Sequence, residues 1–249
     1  MRGHRRPGIA TARSLRLPGG RAIGAALLVL AVGGAAAPSA AGFRAPPHDT
    51  LPVWFEAAPA PAGPSAPAPL RMAPLAVPPR WALGDAVAVL LGGAGCDAGG
   101  VRDRLIAALL AEETGVLELD AAPAAAGHAA PLVTLFGALR ALRRDAGAGP
   151  VVLAIGCGAA ADAALAAADE SVAASHLGAE GPRFVAAIAI GAGTTRFAAG
   201  TPPPPAERWP ERVPLLCAAV AAVTGDATGG RCAASLLARD ATTTATGQR

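Results

Sequence analysis

From residue 81 onward the apolar positions change period again and again, from short unbroken runs to helical spacing and back. Ala86-Val-Ala-Val-Leu-Leu91 is wholly apolar and stops at Gly92-Gly93, which predicts a short strand buried on both faces. Val101, Leu105, Ala108 and Leu109 then recur at helical spacing within Val101 to Glu113. Val116-Leu-Glu-Leu119 predicts a strand ending at Asp120, and Leu132 to Arg144 a helix with Leu135, Leu139 and Leu142 on its apolar stripe. Val151-Val-Leu-Ala-Ile-Gly156-Cys157-Gly158-Ala-Ala160 reads as a strand, a sharp turn and a helix running on through Ala168. Phe184 to Ile190 and Val213 to Val220, the second reaching toward Val223, complete the predicted strands.

Strands that alternate with helices imply right-handed crossovers and an α/β fold: a mainly parallel sheet with helices on both faces. Ligands of such sheets sit beyond the carboxyl ends of the strands. The loops of interest therefore begin at Gly92, Asp120, Gly156, Gly191 and Thr224. The segment from Gly191 to Val213, with its Pro202 to Pro205 run and Trp209, is expected as one such loop.

The flanks read differently. Residues 1–41 begin with Arg2, Arg5, Arg6, Arg13, Arg16 and Arg21, continue as an uncharged run from Ala22 to Ala37, and end in Pro38-Ser39-Ala40-Ala41. A basic start, a short apolar stretch and small residues describe a secretory signal peptide, cleaved after Ala37 or Ala41. As a helix the run would span about 24 Å, short of the roughly 30 Å hydrocarbon core. Export to the periplasm or medium is expected, with no stable membrane span after cleavage; an uncleaved N-terminal anchor is the alternative. Residues 42–80 are rich in Pro and Ala and read as a semi-rigid linker without a core of its own. The folded domain is expected over 81–240, and the polar, Thr-rich 241–249 as a disordered tail.

Composition changes the picture in one respect. The formal charge is +3, yet the six Arg of the leader precede the first acidic residue, Asp49; without them 15 Arg face 18 acidic residues, a net of −3. A domain with that balance has no long-range attraction for a phosphate backbone, so nucleic acid is not an expected partner. The absence of Lys, Asn and Tyr is the mark of a GC-rich coding sequence and carries no functional message.

The chemistry centres on Gly156 to Ala160. In the pattern G-x-S-x-G, a strained strand-to-helix turn lifts a nucleophile out of the sheet. Here the register reads Gly156, Cys157, Gly158, Ala159, Ala160, so a glycine stands at the nucleophile's place. The order of features over Trp81 to Arg239 resembles the dienelactone hydrolase-like branch of the α/β-hydrolases. The strand to Leu91 is followed by Gly92-Gly-Ala-Gly-Cys96 where that family has a His-Gly-rich oxyanion loop, with Leu91 in place of the histidine. Val213-Pro-Leu-Leu216 and Gly225-Asp226-Ala-Thr228 are similar to the strand and loop that deliver the triad's acid, and Arg231 to Leu236 to the next helix.

The resemblance implies hydrolysis of a small ester or lactone, Asp226 as the acid, and amides at Gly92, Gly93 and Ala159 for the oxyanion. Such a triad runs nucleophile, acid, histidine along the chain, but His4, His48, His128 and His176 all precede Asp226. With Gly158 offering no side chain, two of the three roles are empty. The chain then ends at Arg249 with no evident final strand and base-bearing loop. A pseudoenzyme, or a truncated copy, is the expectation.

Two other readings stand beside it. Cys157, at a helix N-terminus that lowers a thiol's pKa, is an alternative nucleophile, with Ile155 disturbing the elbow pattern in that register. Gly93-Ala-Gly95-Cys-Asp-Ala98 after a strand, with Glu118 and Asp120 closing the next one, also matches a dinucleotide-binding turn. The hydrolase reading itself needs no cofactor, and the spacing of Cys96, Cys157, Cys217 and Cys232 fits no zinc signature. In an oxidising compartment those four allow three pairings, Cys96 with Cys157 among them.

Overall fold

The computed structural model describes residues 46–56, 70–92, 96, 100–120, 129–191, 194–201, 216–221 and 223. These belong to one compact unit, Gly42–Arg249. Seven strands form one sheet: β1 (Asp49–Glu56), β2 (Leu70–Val77), β3 (Val87–Leu91), β4 (Gly115–Leu119), β5 (Val152–Cys157), β6 (Ala186–Gly191) and β7 (Thr194–Ala199). The helices are α1 (Val101–Ala111), α2 (Ala129–Arg144), α3 (Ala161–Ala167) and α4 (Glu170–Leu177), with a 3-10 turn at Gly158–Ala160. The strand order is β1-β2-β4-β3-β5-β6-β7. The core strands β4, β3, β5 and β6 are mutually parallel, whereas β1, β2 and β7 are antiparallel to their neighbours. The α/β fold with a mostly parallel sheet is therefore present.

Alternation along the core strands divides the interior in two. Val87, Val89, Leu91, Val152 and Ala154 face one way, toward Leu135, Leu139 and Leu142 of α2 and Ala164 and Ala167 of α3. Ala88, Leu90, Leu153 and Ile155 face the other way, toward Leu105 and Leu109 of α1 and toward Leu216 and Val220. Strands apolar on both faces can only be stable when both are covered, and the parallel pairing requires crossovers that supply the cover. Pro131 fits the first turn of α2, where a missing N–H removes no helical hydrogen bond. Asp169 caps α4, its carboxylate accepting from the amides of Ser171 at 2.9 Å and Val172 at 3.1 Å.

Three expectations are corrected. Within the expected linker 42–80, residues 49–56 and 70–77 are strands instead: β1 and β2 pair over their full length, from Asp49↔Val77 to Glu56↔Leu70. Val53, Phe55, Ala73 and Leu75 are buried in the α2-side core. Proline-rich composition masked a two-residue alternation; Pro52 is tolerated on the edge strand β1, and Pro74 lies on β2 just outside its short pairing with β4. Second, the predicted strand at Val213–Val220 is helical over 216–221; a short apolar run does not distinguish strand from helix, and alanine favours the helix. Third, the expected loop after Gly191 holds β7, which pairs with β6 from Gly191↔Thr194 to Ala186↔Ala199. Helix α4 was also not anticipated from the periodicity.

Strand order reverses direction between β3 and β5. From β3 the chain crosses through α1 to β4 on one side, and from β5 through α3 and α4 to β6 on the other. The carboxyl ends of β3 and β5 thus flank the switch point where doubly wound sheets bind ligands.

Candidate functional site

The turn after β5 occupies that switch point. Cys157 ends the strand in extended backbone (φ −115°, ψ 141°), and the next residue, Gly158, turns to φ +56° to open the 3-10 turn that leads into α3. Positive φ at a strand-to-helix junction is the strained geometry of an elbow apex, and glycine adopts it without a Cβ clash. Gly158 and Ala159 are exposed, whereas Gly156 and Ala160 on either side are buried. A Cβ built on Gly156 would overlap the Ala160 carbonyl oxygen and the Ala164 methyl. The flanking positions of the pattern are thus small because strand and helix touch there. The apex itself projects nothing.

Cys157 points away from the apex, into the α1-side core. Its sulfur is bonded to that of Cys96, with Cα atoms 5.3 Å apart across a separation of 61 residues. Both are fully buried. This corrects the reading of Cys157 as a nucleophile, since a disulfide sulfur holds no thiolate. Cys217 is likewise disulfide-bonded. The Cys96–Cys157 bond ties the loop after β3 to the elbow, across the switch point.

The expected oxyanion donors separate into three cases. The Gly92 amide donates to the Leu119 carbonyl at 2.9 Å, so it is committed to closing the β3–β4 end and is corrected as a donor. Gly93 lies outside the described residues. Ala159 sits exposed in the first turn after the apex, where backbone N–H groups have no intrahelical acceptor.

Neither histidine that the structure describes stands in a base's position by its contacts. His176, on α4, stacks on Phe136 of α2 with ring centroids 4.8 Å apart. His48 lies within 2.9 Å of the Pro46 carbonyl just before β1. His4, His128 and Asp226 lie outside the described residues. The strand that was to deliver Asp226 is helical at 216–221, which removes the local basis for carrying the acid's role to it.

The dinucleotide reading meets similar limits. Gly93, Gly95 and Ala98 lie outside the described residues, while Cys96 within that motif is fixed by its disulfide. Glu118, one of two candidate ribose acids, pairs with Arg102 of α1. Asp120 is exposed at the end of β4.

Electrostatics point away from the elbow. Asp145 is held below the ordinary carboxylate range by its hydrogen bonds from Arg144, Asp169 by those from Ser171 and Val172, and Glu170 by those from Arg183 and Thr201. These are the signatures of a surface ion pair, a helix cap and a loop anchor. Among the described residues no three His, Cys, Asp or Glu side chains gather as a metal site, and no helix is long and apolar enough to cross a membrane. The chain matches no protein-family model and no curated protein.

Proposed function

We propose that this chain is an exported α/β-hydrolase-fold protein of the dienelactone hydrolase-like kind in which ester and lactone hydrolysis has been lost. The observation that carries the reading is Gly158: exposed, at φ +56°, at the apex between a central strand and its helix. A G-x-S-x-G match has meaning only in a strand–turn–helix context, and β5, the 3-10 turn and α3 supply that context. The packing of Gly156 against Ala160 and Ala164 supports it further, because an ordinary tight turn does not demand a glycine two residues before the apex.

Hydrolysis needs a nucleophile, an imidazole to take its proton and amides to hold the oxyanion. At residue 158 there is no atom beyond Cα to attack a carbonyl. Ala159 keeps an amide in the place of an oxyanion donor, so a small ester or lactone could still lie over the turn without being cleaved. The disulfide at Cys96–Cys157 and the bonded state of Cys217 support passage through an oxidising compartment. They agree with the basic, apolar and small-residue pattern of residues 1–41.

The test is turnover of short-chain nitrophenyl esters and of a simple lactone by the purified chain. The expected rate equals that of buffer, and Cys157→Ala leaves it unchanged. Gly158→Ser also stays near background, because a serine without a positioned base lacks the ~10²–10⁴-fold contribution of proton transfer. Robust turnover by the native chain, or strong recovery in Gly158→Ser, overturns the reading.

A further inference from the structure

One strand away from the switch point, the carboxyl end of the sheet holds a cavity of about 240 Å³. Phe55 of β1 and Leu119 of β4 give it an apolar wall. Four charged side chains line it as well: Arg71 of β2, Arg102 of α1, and Glu118 and Asp120 at the end of β4. Their formal charges cancel. Arg102 and Glu118 form an ion pair, and Arg102 also reaches Asp103 at 3.1 Å. Arg71 and Asp120 differ from these, since among the described residues neither enters an ion pair.

Their placement follows from the sheet. Arg71 pairs across the β1–β2 hairpin with buried Phe55, and Asp120 directly follows Leu119 at the carboxyl end of β4. One guanidinium and one carboxylate free of ion pairs among the described residues thus line the same cavity, together with buried Phe55. A simple anion there would be opposed by Glu118 and Asp120, and a simple cation by Arg71 and Arg102. A molecule carrying both signs meets each with its opposite. The volume falls below the 300–1,000 Å³ typical of pockets for drug-sized ligands, which limits the occupant to a small one.

We propose that this cavity binds a small zwitterion with an apolar side chain, of the α-amino acid class. Its carboxylate takes the planar fork of Arg71, its ammonium meets Asp120, and its side chain lies against Phe55 and Leu119. The site is distinct from the elbow and does not depend on the hydrolase reading.

Calorimetric titration of the full chain with L-leucine tests it, beside leucinamide, which lacks the carboxylate, and N-acetyl-leucine, which lacks the ammonium. Leucine is expected to bind, and each blocked form to bind about tenfold or more weakly through loss of one charge-assisted contact. Arg71→Gln should weaken leucine to the same degree and leave leucinamide unaffected; Asp120→Asn should do the converse with N-acetyl-leucine. Both positions are exposed, and an unchanged melting temperature shows that the variants fold. No leucine binding at roughly 10 mM, well above the affinity of even a weak millimolar site, overturns the proposal. So does leucine binding that survives both substitutions, or binding of N-acetyl-leucine as tight as that of leucine.

Discussion

The elbow follows the interior strand β5, the β1–β2 hairpin forms one edge of the same sheet, and the two were encoded in opposite ways. At the elbow the demand is local and negative: Gly156 must have no side chain because Ala160 and Ala164 press on it, and Gly158 must reach φ +56°. Residue identity alone announces that geometry. The hairpin depends on alternation. Phe55 is 4% exposed and its neighbour Trp54 is 57% exposed, because one faces α2 and the other leaves the sheet. Proline and alanine around them hide that period. A motif made of small residues can be read as a string, whereas a strand made of unfavourable residues is recognised only once a partner strand and a helix are beside it.

The largest effect that would break this contrast lies on the elbow side. Replacing Cys96 and Cys157 together with alanine removes a cross-link between residues 61 apart and is expected to lower stability by about 4 kcal/mol, measured by urea unfolding. A negligible loss would mean that the elbow is held by packing alone. On the hairpin side, Phe55→Ala is expected to cost about 3 kcal/mol in the same assay, with Trp54→Ser near zero as its exposed control. Equal, small effects at both positions would return residues 49–56 to the status of a linker.

Gly156→Ala sharpens the comparison by testing close approach without touching chemistry. The added methyl meets backbone rather than a movable side chain, and the expected loss is about 2 kcal/mol, read from chemical denaturation. The smallest effect sets a baseline for surface interactions. Glu170 is held below the ordinary glutamate range by hydrogen bonds from Arg183 and then Thr201. A carboxylate depressed in the folded state stabilises above its unfolded pKa and stops doing so as pH falls through its folded value. The gap in melting temperature between the native chain and Glu170→Gln should therefore be widest near neutrality and shrink on acidification below the ordinary value of 4.5. A gap independent of pH would assign the effect to packing.

Much of the central architecture was legible, for stated reasons. The runs at Val87–Leu91 and Val152–Cys157 are apolar on both faces, and only a sheet covered twice can use them. Helices α1 and α2 follow from their stripes. The run around Leu216 was misread as a strand because its length and composition suit either element, and its contacts with the α1-side core are what the pattern could not supply. The Gly92 amide appeared free for an oxyanion because sequence does not show that Leu119 accepts its hydrogen.

The amino-acid string by itself determined the alternation of the central strands and helices, the empty apex at Gly158 and the absence of any histidine after Asp226, since these depend on residue type and order alone. Tertiary structure alone decided that Cys157 is a bonded core residue, that a proline-rich segment joins the sheet, and that Arg71 and Asp120 line one cavity. The physical reason is range. Periodicity and steric need act within a few residues, while disulfide partners, strand neighbours and opposed charges are set by segments tens of residues apart that only the packed chain brings together.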